Sequence, residues 1–549
     1  MGDAGLGRLA WTIALLCVGP LAAATVAALT ADWSVWAHLV DTVLPGYAAT
    51  TLTLVVLVAL GTGLIGTGAA WLVTVYRFPG SRWLEVLLAL PLAFPAYVMA
   101  YAYTDVLDHP GIVQTTLRDL TGWGPRDYWF PEIRSVGGAA AMLTIVLYPY
   151  VYLLARAAFR QQSASAYLAA RTLGQRPAQA FLRVALPMAR PAIAGGMLLA
   201  IMETIADYGT VAYFSVQTFS TGIYQAWFAM ADRGAAAQIA LCLLSFALLL
   251  VTLERIQRGK ARVAGKGARF DDLARDTLIG PAAWGATTLC VVPVLLGSVV
   301  PTITLALMGW PHFEQMFSNR YQEFLTNSLL LASVASVCTV LGAVMIAFHA
   351  RQAPSPRSRM MVLLAGVGYA VPGGVIAVGL LVPFAAFDNA LDAFMRETFD
   401  IRTGLLITGS ISLLVIAYMG RFMAAALNTY ESGVQTLPPS LDAAARTLGR
   451  GPWGVLFCVQ VPAIKSSVLT ALLIVFVDVM KELPATLILR PFNFDTLAVQ
   501  AHRMASDERL DVAAVPSLVI VAFGLLPVIL VCRSLGRNAS PVQAAPATA

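Results

Sequence analysis

The segment Ala169-Ala170-Arg171-Thr172-Leu173-Gly174, followed by Val184-Ala185-Leu186-Pro187, recurs 275 positions later. The second copy is Ala444-Ala445-Arg446-Thr447-Leu448-Gly449, followed by Val459-Gln460-Val461-Pro462. From glycine to proline each copy runs thirteen residues. Each is a polar, arginine-bearing interruption between long apolar stretches. A polar segment duplicated in register inside a hydrophobic chain implies two related membrane halves, each presenting the same surface to something soluble.

Only 12% of the 549 residues are charged and 58% are hydrophobic, with mean hydropathy +0.74; globular chains carry about 25% charge. Apolar runs of about 20 residues, the length that crosses the hydrocarbon core, recur throughout. Twelve are read, near 10–31, 50–75, 84–106, 136–158, 188–214, 234–253, 282–308, 327–349, 360–384, 404–427, 464–489 and 511–532. A backbone in lipid must satisfy its own hydrogen bonds, so helices are expected. The fold class predicted is an all-α polytopic membrane protein of about twelve transmembrane helices.

The repeat extends beyond its core. At the offset of 275, Glu203 falls on Asp478, Asp207 on Glu482, Phe219 on Phe494, Thr221 on Thr496 and Gln225-Ala226 on Gln500-Ala501, while Pro95 pairs with Pro372 at 277. The expected divisions are a first half, 1–255; a basic connector, 256–280; a second half, 281–537; and a disordered tail, 538–549. An even number of helices per half makes the repeat parallel, related by an axis along the membrane normal.

The net charge of +6 matters through its placement. Arg255, Arg258, Lys260, Arg262, Lys266 and Arg269 crowd the connector. Arg77, Arg82, Arg156, Arg160, Arg351, Arg357, Arg359, Arg533 and Arg537 flank other spans on the same side. The positive-inside rule makes that side cytoplasmic, with both termini there. The opposite loops carry Asp32, Asp41, Asp105, Asp108, Asp388 and Asp392. A connector of this kind reads as a solvated loop facing anionic lipid rather than a nucleic-acid site. The first apolar run, which could pass for a signal peptide, is expected to be retained as helix one.

Each repeat core reads as a short helix, a glycine stop and a second short helix. In copy two Pro438-Pro439 end the preceding element, Ser440 can cap, Leu441 to Leu448 fill two turns, Gly449 supplies a left-handed stop and Pro452 reopens the chain. Ser165, Gly174 and Pro177 repeat this in copy one. The bracket resembles the EAA loop of importer-type ABC permeases, here spanning 163–190 and 438–465. Both copies depart from that pattern, since Leu168 and Ala443 stand where glutamate is expected and Asp442 lies one position earlier. A narrower resemblance is carried by Asp478-Val-Met-Lys481-Glu482-Leu-Pro484 running to Asp495-Thr496-Leu497-Ala498, and by Glu203-Thr-Ile-Ala-Asp207-Tyr-Gly209 running to Tyr224. These look like the segments after the EAA loops of fused ferric-iron permeases; thiamine and phosphonate permeases are near relatives.

The resemblance implies a type I importer fold in a bacterial inner membrane. It further implies two copies of a cytoplasmic ATPase docked on Leu168, Ala169, Ala170 and Gly174 and on Ala443, Ala444, Ala445 and Gly449. A periplasmic binding protein would deliver ferric iron, and ATP would be used by the partner subunit, with no cofactor on this chain.

The residues themselves point the same way. Glu203 with Asp207, and Asp478 with Glu482, are four apart and are expected on one helix face, some 24–30 Å from the docking side at 1.5 Å per residue. Ionisable groups at that depth are costly unless they face water or a partner. Two such pairs form an acidic ring suited to a hard cation that prefers oxygen ligands. In the alternative reading Lys481 and Arg490 neutralise the acids and only hold the bundle together. Pro484 and the aligned Gly209 are expected to break the helices just past the acids. His502 is placed in an outer loop near Asp507 and Glu508, and Trp33, Trp36, Trp71, Trp83, Tyr128 and Trp129 as interfacial anchors.

The six cysteines stand singly and read as buried hydrophobes, with no metal-ligand spacing. No GxxxxGK[ST] loop, serine triad or HExxH run occurs, so enzymatic chemistry is not expected. Two other classes stay open on these residues. A secondary transporter would use the intramembrane acids to couple protons but gives no reason for duplicated brackets. A membrane-embedded enzyme would need an acid-base or metal cluster.

Overall fold

The computed structural model describes residues 2–161, 164–258 and 275–537. Among these, ten helices are long and apolar enough to cross a membrane, and two bent helix pairs bring the number to twelve. Lys260, Arg262, Lys266 and Arg269 of the connector, and the tail 538–549, lie outside the described residues.

Half one contains α1 (Gly2–Leu29), α2 (Leu44–Val75), α3 (Ala96–Leu107), α4 (Val136–Gln161), α5 (Ala164–Thr172), α6 (Leu186–Ala206), α7 (Gly209–Tyr213) and α8 (Arg233–Arg258). Half two contains α9 (Val300–Gly309), α10 (Asn319–Gln352), α11 (Gly373–Phe399), α12 (Ser412–Val434) and α13 (Pro439–Thr447). It ends with α14 (Lys465–Met480), α15 (Pro484–Leu489), α16 (Leu497–Ser506) and α17 (Leu510–Arg537). Pro95 and Pro372, paired by the repeat, both sit just before a helix, α3 and α11. Proline lacks the N–H a continuing helix would need and disfavours helical backbone before it.

The runs read near 188–214 and 464–489 are not single helices. The first stops at Ala206 and the second at Met480, each restarting as a short helix three or four residues later. From the bracket proline onward the two halves also differ: Pro177–Ala206 forms one candidate span, whereas Pro452–Ala463 and Lys465–Met480 meet at 83°.

The first span of each half packs on the other half. Helix α1 lies along α11, where a Cβ added to Gly379 would fall 1.9 Å from the Pro20 carbonyl oxygen. In half two, Leu296 accepts a hydrogen bond from the Tyr103 hydroxyl of α3 at 2.6 Å. The connector's far end is also tied back to half one. Asp276–Thr277 pairs in parallel with Tyr76–Arg77, and Glu85 accepts from both Arg156 and Arg275.

Of the cysteines, Cys17 and Cys290 are buried as expected, but Cys458 is exposed. Trp71, expected at a lipid interface, is instead buried at 7% exposure among Phe159, Tyr167 and Phe181.

Gly379→Val should cost about 1–3 kcal/mol, since backbone rather than a yielding side chain blocks the new atoms. Thermal melts in detergent should show the variant several degrees below wild type. Gly19→Ala, with open space around it, should melt like wild type; equal melting of all three proteins would contradict this packing.

Candidate functional site

Two features recur in both halves: a bracket on one face and a charged helix break deep in the bundle. The brackets follow the expected plan. Helix α5 is followed by Gly174 at φ +83° and a helix opened by Pro177; α13 is followed by Gly449 at φ +80° and a helix opened by Pro452. The same bonds close both helices. Gly174 N–H donates to Arg171 and Gln175 N–H to Ala170, matched by Gly449 to Arg446 and Arg450 to Ala445, all at 2.9–3.1 Å. This is the left-handed glycine stop, which costs a side-chain-bearing residue backbone strain. Ser440 does not cap α13; Pro438 holds that position and Pro439 starts the helix.

In both copies the register of exposure is the same. Leu168, Ala169, Ala443 and Ala444 are exposed, while Ala170 and Ala445 turn inward. Leu173 and Leu448, beside the glycines, are 84% and 82% exposed. What holds the brackets differs. Asp442 accepts from Arg351 Nε and from Gln460 Nε2, both at 2.9 Å. At the aligned position in copy one Tyr167 packs its ring 5.5 Å from that of Trp71.

The breaks face each other across a cavity of about 120 Å³ lined from both halves. Glu203, Asp207, Asp478, Lys481 and Glu482 all line it, and so does Arg421 of α12. Arg490 does not: it pairs with Asp495, five residues on, with Arg503 3.7 Å from the same carboxylate. The acids four apart do not share a helix face, because Asp207 and Glu482 lie beyond the helix ends. They cap the helices that follow. Asp207 accepts from Thr210 N–H and Val211 N–H at 3.1 Å and from the Thr210 hydroxyl at 2.9 Å. Glu482 accepts from Ala485 N–H at 3.1 Å, Thr486 N–H at 3.3 Å and the Thr486 hydroxyl at 3.1 Å.

Asp478 is paired with Lys481 at 2.8 Å, and Arg421 approaches Glu482 at 3.9 Å. Glu203 has no hydrogen-bond or ion-pair partner among the described residues. The halves also touch at Gly209. A Cβ there would lie 2.7 Å from Tyr97 Cβ and 3.0 Å from Leu483 Cδ2. The cavity thus holds four carboxylates against two cations, an environment that favours a cationic guest.

The sequence matches the family described as binding-protein-dependent transport system inner membrane component twice, over residues 62–263 and 340–541. The chain belongs to that family. It is 26% identical over 485 residues to the Fe(3+)-transport system permease protein FbpB 2 of Haemophilus influenzae, covering 87% of this chain and 88% of that protein. The putative ferric transport system permease protein FbpB 1 of the same organism is 24% identical, covering 74% of this chain and 64% of its own. The ferric transport system permease protein FbpB of Actinobacillus pleuropneumoniae is 23% identical, covering 74% and 59%. This is therefore a fused, two-half ABC-type permease, a multi-pass membrane transport subunit and not an enzyme.

Three features of this permease escaped the sequence. Arg421 was legible in principle, as an ionisable residue inside an apolar run. His502 sits not in a loop but buried in α16, with Nδ1 3.0 Å from the Tyr101 hydroxyl. At the face opposite the brackets, Arg134 of half one grips Glu508 of half two with two bonds of 2.6 and 2.8 Å, and reaches Asp108 at 3.1 Å. The Arg134 hydrogen bonds hold the Glu508 carboxyl below the usual carboxylate range.

A carboxylate with a depressed folded pKa adds stability above its unfolded value and loses it as pH falls through the folded one. The wild-type melting temperature should therefore contain a component that disappears on acidification below about pH 4. Glu508→Gln should remove that component and melt slightly lower at neutral pH, by no more than the 0–1 kcal/mol typical of exposed pairs. Superimposable melting curves from neutral to acid would show that the pair contributes nothing.

Proposed function

We propose that this permease carries ferric iron across a bacterial inner membrane, with both termini cytoplasmic. A periplasmic binding protein delivers the ion at the Arg134–Glu508 face. Two copies of a separate ATPase dock on the brackets Leu168–Gly174 and Ala443–Gly449 and hydrolyse ATP. Their closure shifts the population between states open to either side, through differential affinity for the bracket positions.

The observation that carries this reading is the cavity where the halves meet, with two more carboxylates than cations and with Glu203 forming no ion pair among the described residues. The resemblance to ferric transport permeases along most of the chain supports the same cargo. Hard oxygen donors suit ferric iron, and a single free carboxylate passes an ion on more readily than a closed chelate would. A phosphonate cargo fits less well, because Lys481 already faces Asp478 and the balance of charge repels an anion.

Labelled ferric-iron uptake in cells lacking the gene, with and without its restoration, tests this, with thiamine and phosphonate uptake run in parallel. Iron uptake should return with the intact gene and fall about tenfold or more with Glu203→Gln. It should also fail with Gly449→Val, which forces a β-branched residue to φ +80°. Restored thiamine or phosphonate uptake with unchanged iron uptake would sink the iron assignment and leave the importer reading standing. Iron uptake that persists without any ATPase subunit would sink the importer reading as well.

A further inference from the structure

A second cavity, of about 210 Å³, lies in half two on the face opposite the brackets, between the start of α10, α16 and the start of α17. Arg320, Tyr321, Gln500 and Arg509 are among its lining residues, and no carboxylate is. Of the acids nearest Arg509 in the chain, Glu508 is engaged by Arg134 and Asp511 by His312 at 2.5 Å, and Asp507 forms no ion pair with Arg509 and does not line the cavity. Neither Arg320 nor Arg509 has an ion-pair partner among the described residues; Arg320 lies 5.8 Å over the Phe324 ring.

Two polar atoms here are also left without partners. The Tyr321 hydroxyl and Gln500 Oε1 are buried with no hydrogen bond among the described residues, and Tyr321 is only 7% exposed. Burying such groups unpaired costs about 1–3 kcal/mol each, so a guest that engages them recovers stability. Arg320 and Tyr321 stand in the first turn of α10, whose N-terminal N–H groups add positive potential.

The aromatic residues beside the cavity bear on the class of guest. The turn just before α10 exposes Trp310 at 79%, Phe313 at 50% and Phe317 at 73%, with neighbouring rings 6.5 and 6.1 Å apart. Exposed aromatic strips of this kind settle at the level of lipid headgroups. Paired arginines at that level match phosphate oxygens, which guanidinium groups bind in two-pronged fashion.

We propose that this cavity is a phosphate-group site, filled by the headgroup of an anionic phospholipid or by free phosphate. Arg320 and Arg509 supply the charge and Tyr321 a neutral donor. The site is separate from the Glu203 cavity and does not depend on which cargo that cavity carries.

Native mass spectrometry of the full chain, purified in detergent and supplied with phosphatidylglycerol or with phosphate-free diacylglycerol, tests the lipid arm. Wild type should retain phosphatidylglycerol but not diacylglycerol, and the double variant Arg320→Gln/Arg509→Gln should lose that retention by about tenfold or more, some 1.4 kcal/mol. Tyr321→Phe, which keeps the packing, should weaken it to a smaller degree. In the second arm, millimolar inorganic phosphate raising the melting temperature of lipid-free wild type, but not of the double variant, would assign the site to the free ion. Equal lipid retention by wild type and both variants, with no effect of phosphate on melting, would overturn the proposal.

Discussion

The structure depends on what happens to backbone N–H groups where two long apolar helices stop, at Ala206 and Met480, and short ones restart. A helix restarted inside a membrane leaves its first donors without partners, and lipid offers none. Here the chain supplies them from its own sequence. Asp207 and Glu482 each reach forward to two N–H groups and one hydroxyl of the next short helix. The negative charge that this needs is stabilised by those same donors and, at Glu482, by Arg421. A carboxylate buried without such bonds would cost several kcal/mol. With them, the break becomes a rigid part of the wall between the halves.

That arrangement separates two duties among acids that look alike in the sequence. Asp207 and Glu482 are spent on backbone donors, and Asp478 is spent on Lys481. Of the four, only Glu203 has no hydrogen bond or ion pair among the described residues. The repeat is therefore symmetric in position and asymmetric in chemistry: Glu203 and Asp478 align, but only half two carries a lysine three residues on. On the proposed reading of this cavity as the ion's path, a carboxylate without an ion pair would hold a passing cation weakly enough to release it.

Much of this was legible in the sequence, because it rests on local chemistry. The glycine stops at Gly174 and Gly449 follow from short-range backbone rules, and the clustering of the acids follows from the in-register repeat. The spans near 136 and 511 carry few charges, and both form helices. What was not legible depends on distant partners. A spacing of four implied a shared helix face for Glu203 and Asp207, but side-chain capping ended the helix first. Arg490 looked like a counter-ion for the cavity acids until Asp495 claimed it. Trp71 reads as an interfacial anchor in isolation, and only the fold brings Tyr167 and Phe181 around it. The packing of α1 against α11 crosses more than 300 residues of chain and leaves no periodic signal.

The two brackets pose the same question in reverse. Their outward faces agree residue for residue in exposure, with Leu173 and Leu448 both standing clear beside a left-handed glycine. Their inward faces share the buried alanines Ala170 and Ala445 but differ in what anchors them. Half one seats its bracket in an aromatic cluster around Trp71, which is insensitive to salt. Half two ties its bracket through Asp442 to Arg351 and Gln460, a polar knot whose worth depends on staying dry. Physical chemistry explains that pattern if the outer surface answers to one partner presented twice while each inner surface need fit only its own half. The missing glutamates at Leu168 and Ala443 fit the same logic in half two: the acid has moved one position to Asp442, from where it turns inward to hold the bracket rather than outward to meet a partner.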